Sequence, residues 1–289
     1  MRPLRLVKGS HIVVRRLFEH SYAYIFQNPD KRIVFAIPFE HEFTLVGTTD
    51  VEIHGDPGAV HADAGEVDYL CTMINRYFRR QIAPADALWS FSGVRPLFGD
   101  GADPTSITRD YRLELERAGP PLLTVWGGKL TTYRALAEEA LGLLAGPLGF
   151  AAGGWTAQAP LPGGDVGDSG DPAAAFEAFC RLQEQRRPWL PAPLLRRYAR
   201  AYGTRMDRML GSAASLGDLG GQIVPGLYEA EAAYLVEHEW ARSAEDILWR
   251  RSKLGLRLPA EATLQLSDWL VRRAGGSPAP VAAALGADG

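Results

Sequence analysis

Cysteine is scarce in this chain of 289 residues: Cys71 and Cys180 are the only two, far apart and in no CxxC pair. That excludes a disulfide framework and a cysteine-built zinc site, and it fits a reducing, cytoplasmic setting. An excess of one charge is missing as well. The 31 Lys and Arg against 34 Asp and Glu leave a formal charge of −3, so no chain-wide field draws nucleic acid, although a local basic pocket is compatible with it. No apolar run approaches the roughly 20 residues that span a bilayer. The opening MRPLRLVKGSHIVV also lacks the apolar stretch of a signal peptide. Membrane contact is therefore expected to be peripheral. There is no internal repeat, and no GxGxxG follows a strand; the nearest approach, Gly99-Asp100-Gly101, sits in a polar loop ahead of Pro104. Whatever this chain binds, it carries no self-contained dinucleotide fold.

What is present divides into two textures. Residues 1–150 read as mixed α/β (α+β), with strands expected at Ser10–Val14, Ala23–Phe26, Arg32–Ile37, Phe43–Thr48, Arg112–Glu116 and Leu122–Trp126. Short polar connections such as Asn28-Pro29-Asp30-Lys31 point to a largely antiparallel sheet rather than repeated βαβ units. One helix is expected near Ala64–Arg80, with Val67, Leu70, Cys71, Ile74 and Phe78 on one face, and another after Lys129. Residues 151–172 are dense in Gly, Pro and Asp without a period and read as a linker. Residues 173–274 read as an all-α domain, with helices at Ala173–Arg187, Pro193–Tyr202, Arg205–Leu210, Tyr228–Glu239, Ala244–Lys253 and Ala260–Arg273. Residues 275–289 read as a flexible tail.

The most informative stretch is Leu122–Leu144. A short apolar run meets Gly127-Gly128, then Lys129 and two threonines, after which apolar residues recur at helical spacing. Strand, tight turn and helix follow, with the helix beginning near Lys129. Glycine there admits a ligand close to the backbone and leaves helix-end amides free for an anion, or for a cofactor edge that becomes anionic. Three further segments set cations beside small polar residues: Lys8-Gly9-Ser10-His11, Ser92-Gly93-Val94-Arg95-Pro96 and Ile107-Thr108-Arg109-Asp110-Tyr111. Brought together, His11, Arg95, Arg109 and Lys129 would line a pocket for a doubly charged anion, most simply a phosphate. A histidine in that pocket could take a proton from a substrate hydroxyl.

Plainer readings stand beside these. His11 ahead of Ile-Val-Val also fits a hydrogen-bonded strand residue, Lys129 a solvated corner, and Arg109-Asp110 a surface pair. Arg95, before a proline in an apolar run, is expected to be partly buried and to want an anion. Gly47-Thr48-Thr49-Asp50 reads as a turn whose side-chain oxygens satisfy backbone amides, or as a cofactor-facing loop. Trp240, Trp249 and Trp269 read as core anchors, and Arg250-Arg251 with Lys253 as a solvated helix end.

With these segments in view, the chain resembles the FAD-dependent glycerol-3-phosphate dehydrogenases. KGSHIVV, IPFEHEFTLVGTTDVE, WSFSGVRPL, ITRDYRLE, GGKLTTYRALAE, PLPGG and YLVEHEWARSAEDILWRRSKLGL carry the likeness, in the family's order. The resemblance implies an FAD-dependent oxidoreductase substrate portion followed by an all-α C-terminal domain. It also implies that the amino-terminal segment bearing the FAD-binding GxGxxG lies outside this sequence. The implied reaction oxidises sn-glycerol 3-phosphate to dihydroxyacetone phosphate, with hydride passing to FAD and electrons onward to membrane quinone. By match of motif, Arg109 and Lys129 would hold the phosphate. Arg95 and His11 would attend the C2 hydroxyl, one polarising it and the other accepting its proton, and Gly127, Gly128, Leu130 and Thr131 would face the flavin. Implied partners are glycerol 3-phosphate, quinone, the missing amino-terminal segment and the cytoplasmic membrane surface, with a homodimer as a further expectation and no nucleic acid. By itself the chain is expected to bind FAD weakly and to be inactive. Three alternatives stay open: an oxidase that uses oxygen, a non-catalytic remnant or phosphate-binding module, and, less well matched to four cations, an amine or amino-acid oxidase.

Overall fold

Strand β1 (Leu4–Arg15) organises the first of two units, Met1–Gln158, in a computed structural model that describes residues 4–98, 110–151, 153–167 and 170–275. Along β1, residues 11–15 pair with β4 (Phe43–Gly47) and residues 6–8 with β5 (Val51–Ile53). Its residues 4–13 pair with β6 (Trp89–Phe98). β3 (Ile33–Phe39) pairs with β4, and β2 (Tyr24–Gln27) with β3. Every pairing in this six-stranded sheet is antiparallel, as the short connections implied. β5 and β6 are additions to the expected strands, and β1 starts earlier than Ser10. Ser90, Ser92, Gly93 and Pro96 give β6 little strand preference of its own; ten residues of ladder with β1 impose it.

Helix α1 (Ala64–Asn75) opens on a reciprocal cap: Glu66 N donates to Asp63, and Asp63 N donates to the Glu66 carboxylate. Its apolar face buries Leu70, Cys71 and Ile74 against Ile12, Val14, Val34, Ala36 and Val46. Successive strand residues alternate faces, so one side of the sheet is sealed by α1 and the other carries His11 and Arg95. The helix stops short of Arg80 because the Asn75 side chain bonds both backbone groups of Ile82, at 2.8 Å each, and turns the chain back.

β7 (Arg112–Glu116) and β8 (Leu122–Trp126) form a separate antiparallel pair where the sequence predicts them. A 3₁₀ turn over Leu130–Thr132 then leads into α2 (Tyr133–Leu148). No described residue of α2 is buried, and Leu141 and Leu148 are exposed.

The second unit, Ala159–Gly289, is helical. α3 (Pro172–Arg186), α4 (Ala192–Tyr202), α5 (Met206–Leu210), α6 (Glu229–His238) and α7 (Glu261–Arg273) are joined by a π-helical turn, Asp246–Arg251. A small hairpin, β9 (Gln222–Val224) and β10 (Leu227–Tyr228), is an element the helical pattern did not announce. The core gathers Leu195, Tyr198, Met206, Leu235, Ile247 and Leu266, among others. Inside it Arg197 grips Glu231 through two bonds of 2.6 Å, and Tyr202 Oη donates to the same carboxylate at 2.7 Å. Trp269 is buried and Trp249 packs against this core, but Trp240 is 77% exposed and does not anchor it. Arg251 is no solvated end: its guanidinium donates twice to the Glu239 carbonyl. The tail beyond Gly275 lies outside the described residues.

Candidate active site on the sheet face opposite the helix

Cross-strand partners share a face. His11 pairs with Gly47 on one side and Phe91 on the other, and Gly47 pairs onward with Phe35. Phe35, Gly47, His11 and Phe91 therefore form one row across the sheet. The imidazole stacks on Phe91 with ring centres 5.0 Å apart and planes 5° from parallel. It also fills the space over Gly47, where a Cβ would stand 2.0 Å from the imidazole Cδ2. His11 Nδ1 is buried and, among the described residues, without a hydrogen-bond partner. Burial, and then the positive charge of Arg95, push the His11 pKa below its ordinary 6.5. The imidazole is thus neutral at neutral pH, and one nitrogen is free to take a proton.

Arg95 pairs with Val7 on the same face. Its guanidinium lies over Gly9, where a Cβ would stand 2.6 Å from both terminal nitrogens. Nη1 donates to Asp50 Oδ1 at 2.8 Å and Nη2 to Thr48 Oγ1 at 3.2 Å. The anion that a part-buried arginine demands is supplied by the chain itself. The Gly47–Asp50 turn does satisfy a backbone amide, since Ser10 N donates to Thr49 Oγ1 at 2.9 Å, but Thr48 and Asp50 serve the arginine. What sequence reasoning missed is that Thr48 and Asp50 hold Arg95 and that Gly9 makes room for its guanidinium. The signal for Thr48 and Asp50 is a short polar run, GTTD, just after an apolar strand; Gly9 has none beyond its place between Lys8 and Ser10.

The corner after β8 is built as its glycines imply: Gly127 has φ 68° and Gly128 φ 112°, backbone that side-chain-bearing residues avoid. Gly127, Gly128, Leu130 and Thr131 are all exposed, and Leu130 is 88% exposed. Lys129 Nζ reaches Asp110 Oδ1 at 3.5 Å, an exposed contact that contributes little. The structure thus brings His11 and Arg95 together and holds Lys129 to Asp110 on the corner; among the described residues Lys129 bonds neither of them. Arg109 lies outside the described residues.

Known proteins match along most of the chain. Residues 1–134 match the family described as FAD dependent oxidoreductase, and residues 155–268 the C-terminal domain of alpha-glycerophosphate oxidase. The glycerol-3-phosphate dehydrogenase of Pseudomonas aeruginosa is 49% identical over 270 residues, which are 92% of this chain and 52% of that protein. The D-erythritol 1-phosphate dehydrogenase of Brucella abortus is 44% identical over 270 residues, 93% of this chain and 53% of that protein. Among solved structures, the glycerol-3-phosphate dehydrogenase of Bacillus halodurans complexed with FAD superposes with a TM-score of 0.76 at 26% identity, over 96% of this chain and 54% of that one. The chain spans about half the length of the curated relatives it matches. Taken with the antiparallel sheet, the glycine corner and the helical second unit, these matches identify the chain as a member of the FAD-dependent glycerol-3-phosphate dehydrogenase family.

Proposed function

We propose that this chain supplies the substrate side of an enzyme that oxidises sn-glycerol 3-phosphate to dihydroxyacetone phosphate, acting jointly with polypeptide that completes the flavin site. The observation that carries the reading is a neutral His11 imidazole, its Nδ1 without a hydrogen-bond partner among the described residues, beside a fixed Arg95. An arginine cannot give up its proton in a protein, so only the imidazole of this pair can serve as base. His11 therefore takes the proton of the C2 hydroxyl, and Arg95 polarises the oxygen as charge develops on it. Lys129 and Arg109 neutralise the phosphate. Bound FAD supplies the hydride acceptor.

Two features suit that cofactor. Gly127 and Gly128 leave the corner without side chains and Thr131 is exposed beside them, so a flat ring edge can approach the backbone. In the row Phe35–Gly47–His11–Phe91 the side-chain-free Gly47 gives the imidazole its room, so the base is held in one place. On this reading the pyrophosphate is held by the polypeptide that completes the flavin site, and the chain by itself is expected to hold FAD weakly.

The reading extends to membrane quinone as electron acceptor, peripheral contact with the cytoplasmic membrane and a homodimer. No helix among the described residues is long and apolar enough to cross a membrane. Three arginines that a lipid surface could meet are engaged within the chain: Arg80 donates to Arg16 O, Arg250 pairs with Glu245 and Asp246, and Arg251 donates to the Glu239 carbonyl. Oxygen as acceptor is the second reading, favoured by the match of the helical unit to a glycerophosphate oxidase domain.

The test is flavin absorbance after adding FAD and desalting, for the chain alone and co-expressed with the amino-terminal half of a relative. The expected result is retention and anaerobic bleaching by glycerol 3-phosphate only in the co-expressed form. Faster bleaching by D-erythritol 1-phosphate would reassign the substrate, and peroxide in air would identify the oxidase. No flavin in either form would sink the proposal.

A further inference from the structure

Behind His11 and Arg95, on the side of the sheet that faces α1, lies a buried polar knot centred on Glu66, which is 5% exposed. Oε1 accepts from Ser10 Oγ at 2.9 Å and from Thr49 Oγ1 at 2.6 Å. The other oxygen accepts from Lys8 Nζ at 2.7 Å and from Asp63 N at 3.1 Å. Lys8 also reaches Asp63 Oδ2 at 3.2 Å and the His61 carbonyl at 3.0 Å. An ionised carboxylate only accepts, so every hydroxyl in the knot has a fixed direction. Thr49 gives its proton to Glu66 and therefore accepts Ser10 N; Ser10 gives its proton to Glu66, so Ser92 must donate to Ser10 across 2.8 Å.

The chain alternates through the turn that this knot holds. Thr49 points to Glu66, while its neighbours Thr48 and Asp50 grip Arg95 on the opposite face. Ser10, the other hydroxyl on Glu66, lies between Gly9, over which the Arg95 guanidinium rests, and His11. We propose that Glu66 is a positioning residue for the Arg95–His11 pair: through Thr49 it pins the loop that aims the guanidinium, and through Ser10 it pins the strand that presents the imidazole. The claim rests on the reading above only for the statement that this pair does the chemistry. A carboxamide at position 66 would keep the shape and reverse the polarity, because its NH₂ must face either two hydroxyl donors or the Lys8 ammonium and the Asp63 amide.

The experiment follows the His11 imidazole by ¹⁵N–¹H NMR through a pH titration of the chain, comparing Thr49→Val, Thr49→Ser, Glu66→Gln and the core control Cys71→Ala. Thr49→Val removes the link without changing charge. It is expected to raise the His11 pKa towards 6.5 as the Arg95 charge is no longer held nearby, with Thr49→Ser and Cys71→Ala matching the wild type. Glu66→Gln is expected to shift it the same way, although loss of a carboxylate by itself would lower it. A wild-type titration in Thr49→Val overturns the proposal. In the FAD-loaded, co-expressed enzyme, Thr49→Val should lower kcat about tenfold or more, rescued by Thr49→Ser. Wild-type turnover in both Thr49→Val and Glu66→Gln overturns it there. If His11→Gln and Arg95→Met turn over normally, it is the reading of the pair that fails, and the titration still decides the role of Glu66.

Discussion

The helical second unit and the β7–β8–α2 stretch of the first unit have similarly apolar sequences and opposite degrees of closure. In the helical unit the apolar residues find each other: Leu195, Tyr198, Met206, Leu235 and Leu266 are fully buried, and even the charges of Arg197 and Glu231 are paired inside. In the other stretch a two-stranded ladder leads into a helix with no buried residue, and Leu122, Leu130, Leu141, Leu148 and Phe150 remain exposed. A lone two-stranded ladder is marginal in water without a third layer. The contrast teaches that apolar periodicity records a surface to be covered, not what covers it. The co-expression proposal gives that surface an occupant.

The sharpest way to break the contrast is the buried ion pair. Arg197→Met leaves the Glu231 carboxylate, 0% exposed, without its cation; urea unfolding should show a loss of about 3–5 kcal/mol near neutral pH. Unchanged stability would mean the helical core is not closed as described. Next, Leu195→Ala should cost about 2–5 kcal/mol, whereas Leu141→Ala, half-exposed on α2, should stay within about 0.5 kcal/mol. Equal costs would erase the difference between the regions, and a cost at Leu141 that appears only on co-expression would sharpen it.

A smaller effect concerns His11. Its folded-state pKa is depressed, so protonation favours the unfolded chain. Stability from this group is complete above the unfolded value near 6.5 and is lost as pH falls below it towards the folded value. His11→Gln should flatten that acid-side decline in a pH series of thermal melts; an unchanged slope would mean the ring is not desolvated. Least of all, Trp240→Ala should change stability by no more than about 0.5 kcal/mol, since its indole is mostly in water.

Much of the fold was legible because it follows local rules. β7 and β8 lie where alternation put them, the glycine corner has the left-handed backbone its double glycine implies, and the second unit is helical as its periodicity required. β6 was illegible because Gly93 and Pro96 disfavour a strand that only the β1 ladder creates. Of the site, His11 and Arg95 could be singled out, but not that Asp50 already neutralises the arginine, nor that Glu66 stands behind both. Asp50 lies 45 residues from Arg95, and Glu66 lies 56 from Ser10, through which it reaches the His11 strand; spacing carries no signal at that range.

The sequence by itself determined the class of chain: two textures joined by a glycine- and proline-rich crossing, and a family likeness carried by motifs in order. Turn chemistry, helical period and motif identity are local properties, readable one segment at a time. Only the tertiary structure decided which side chains meet. The β1 register sets His11 over Gly47 and against Phe91, clears Gly9 for Arg95, and turns Ser10 to Glu66 on the opposite side. The physical reason is that strand residues alternate between two faces: one register divides neighbours in sequence between the face that carries His11 and Arg95 and the face that meets the buried Glu66.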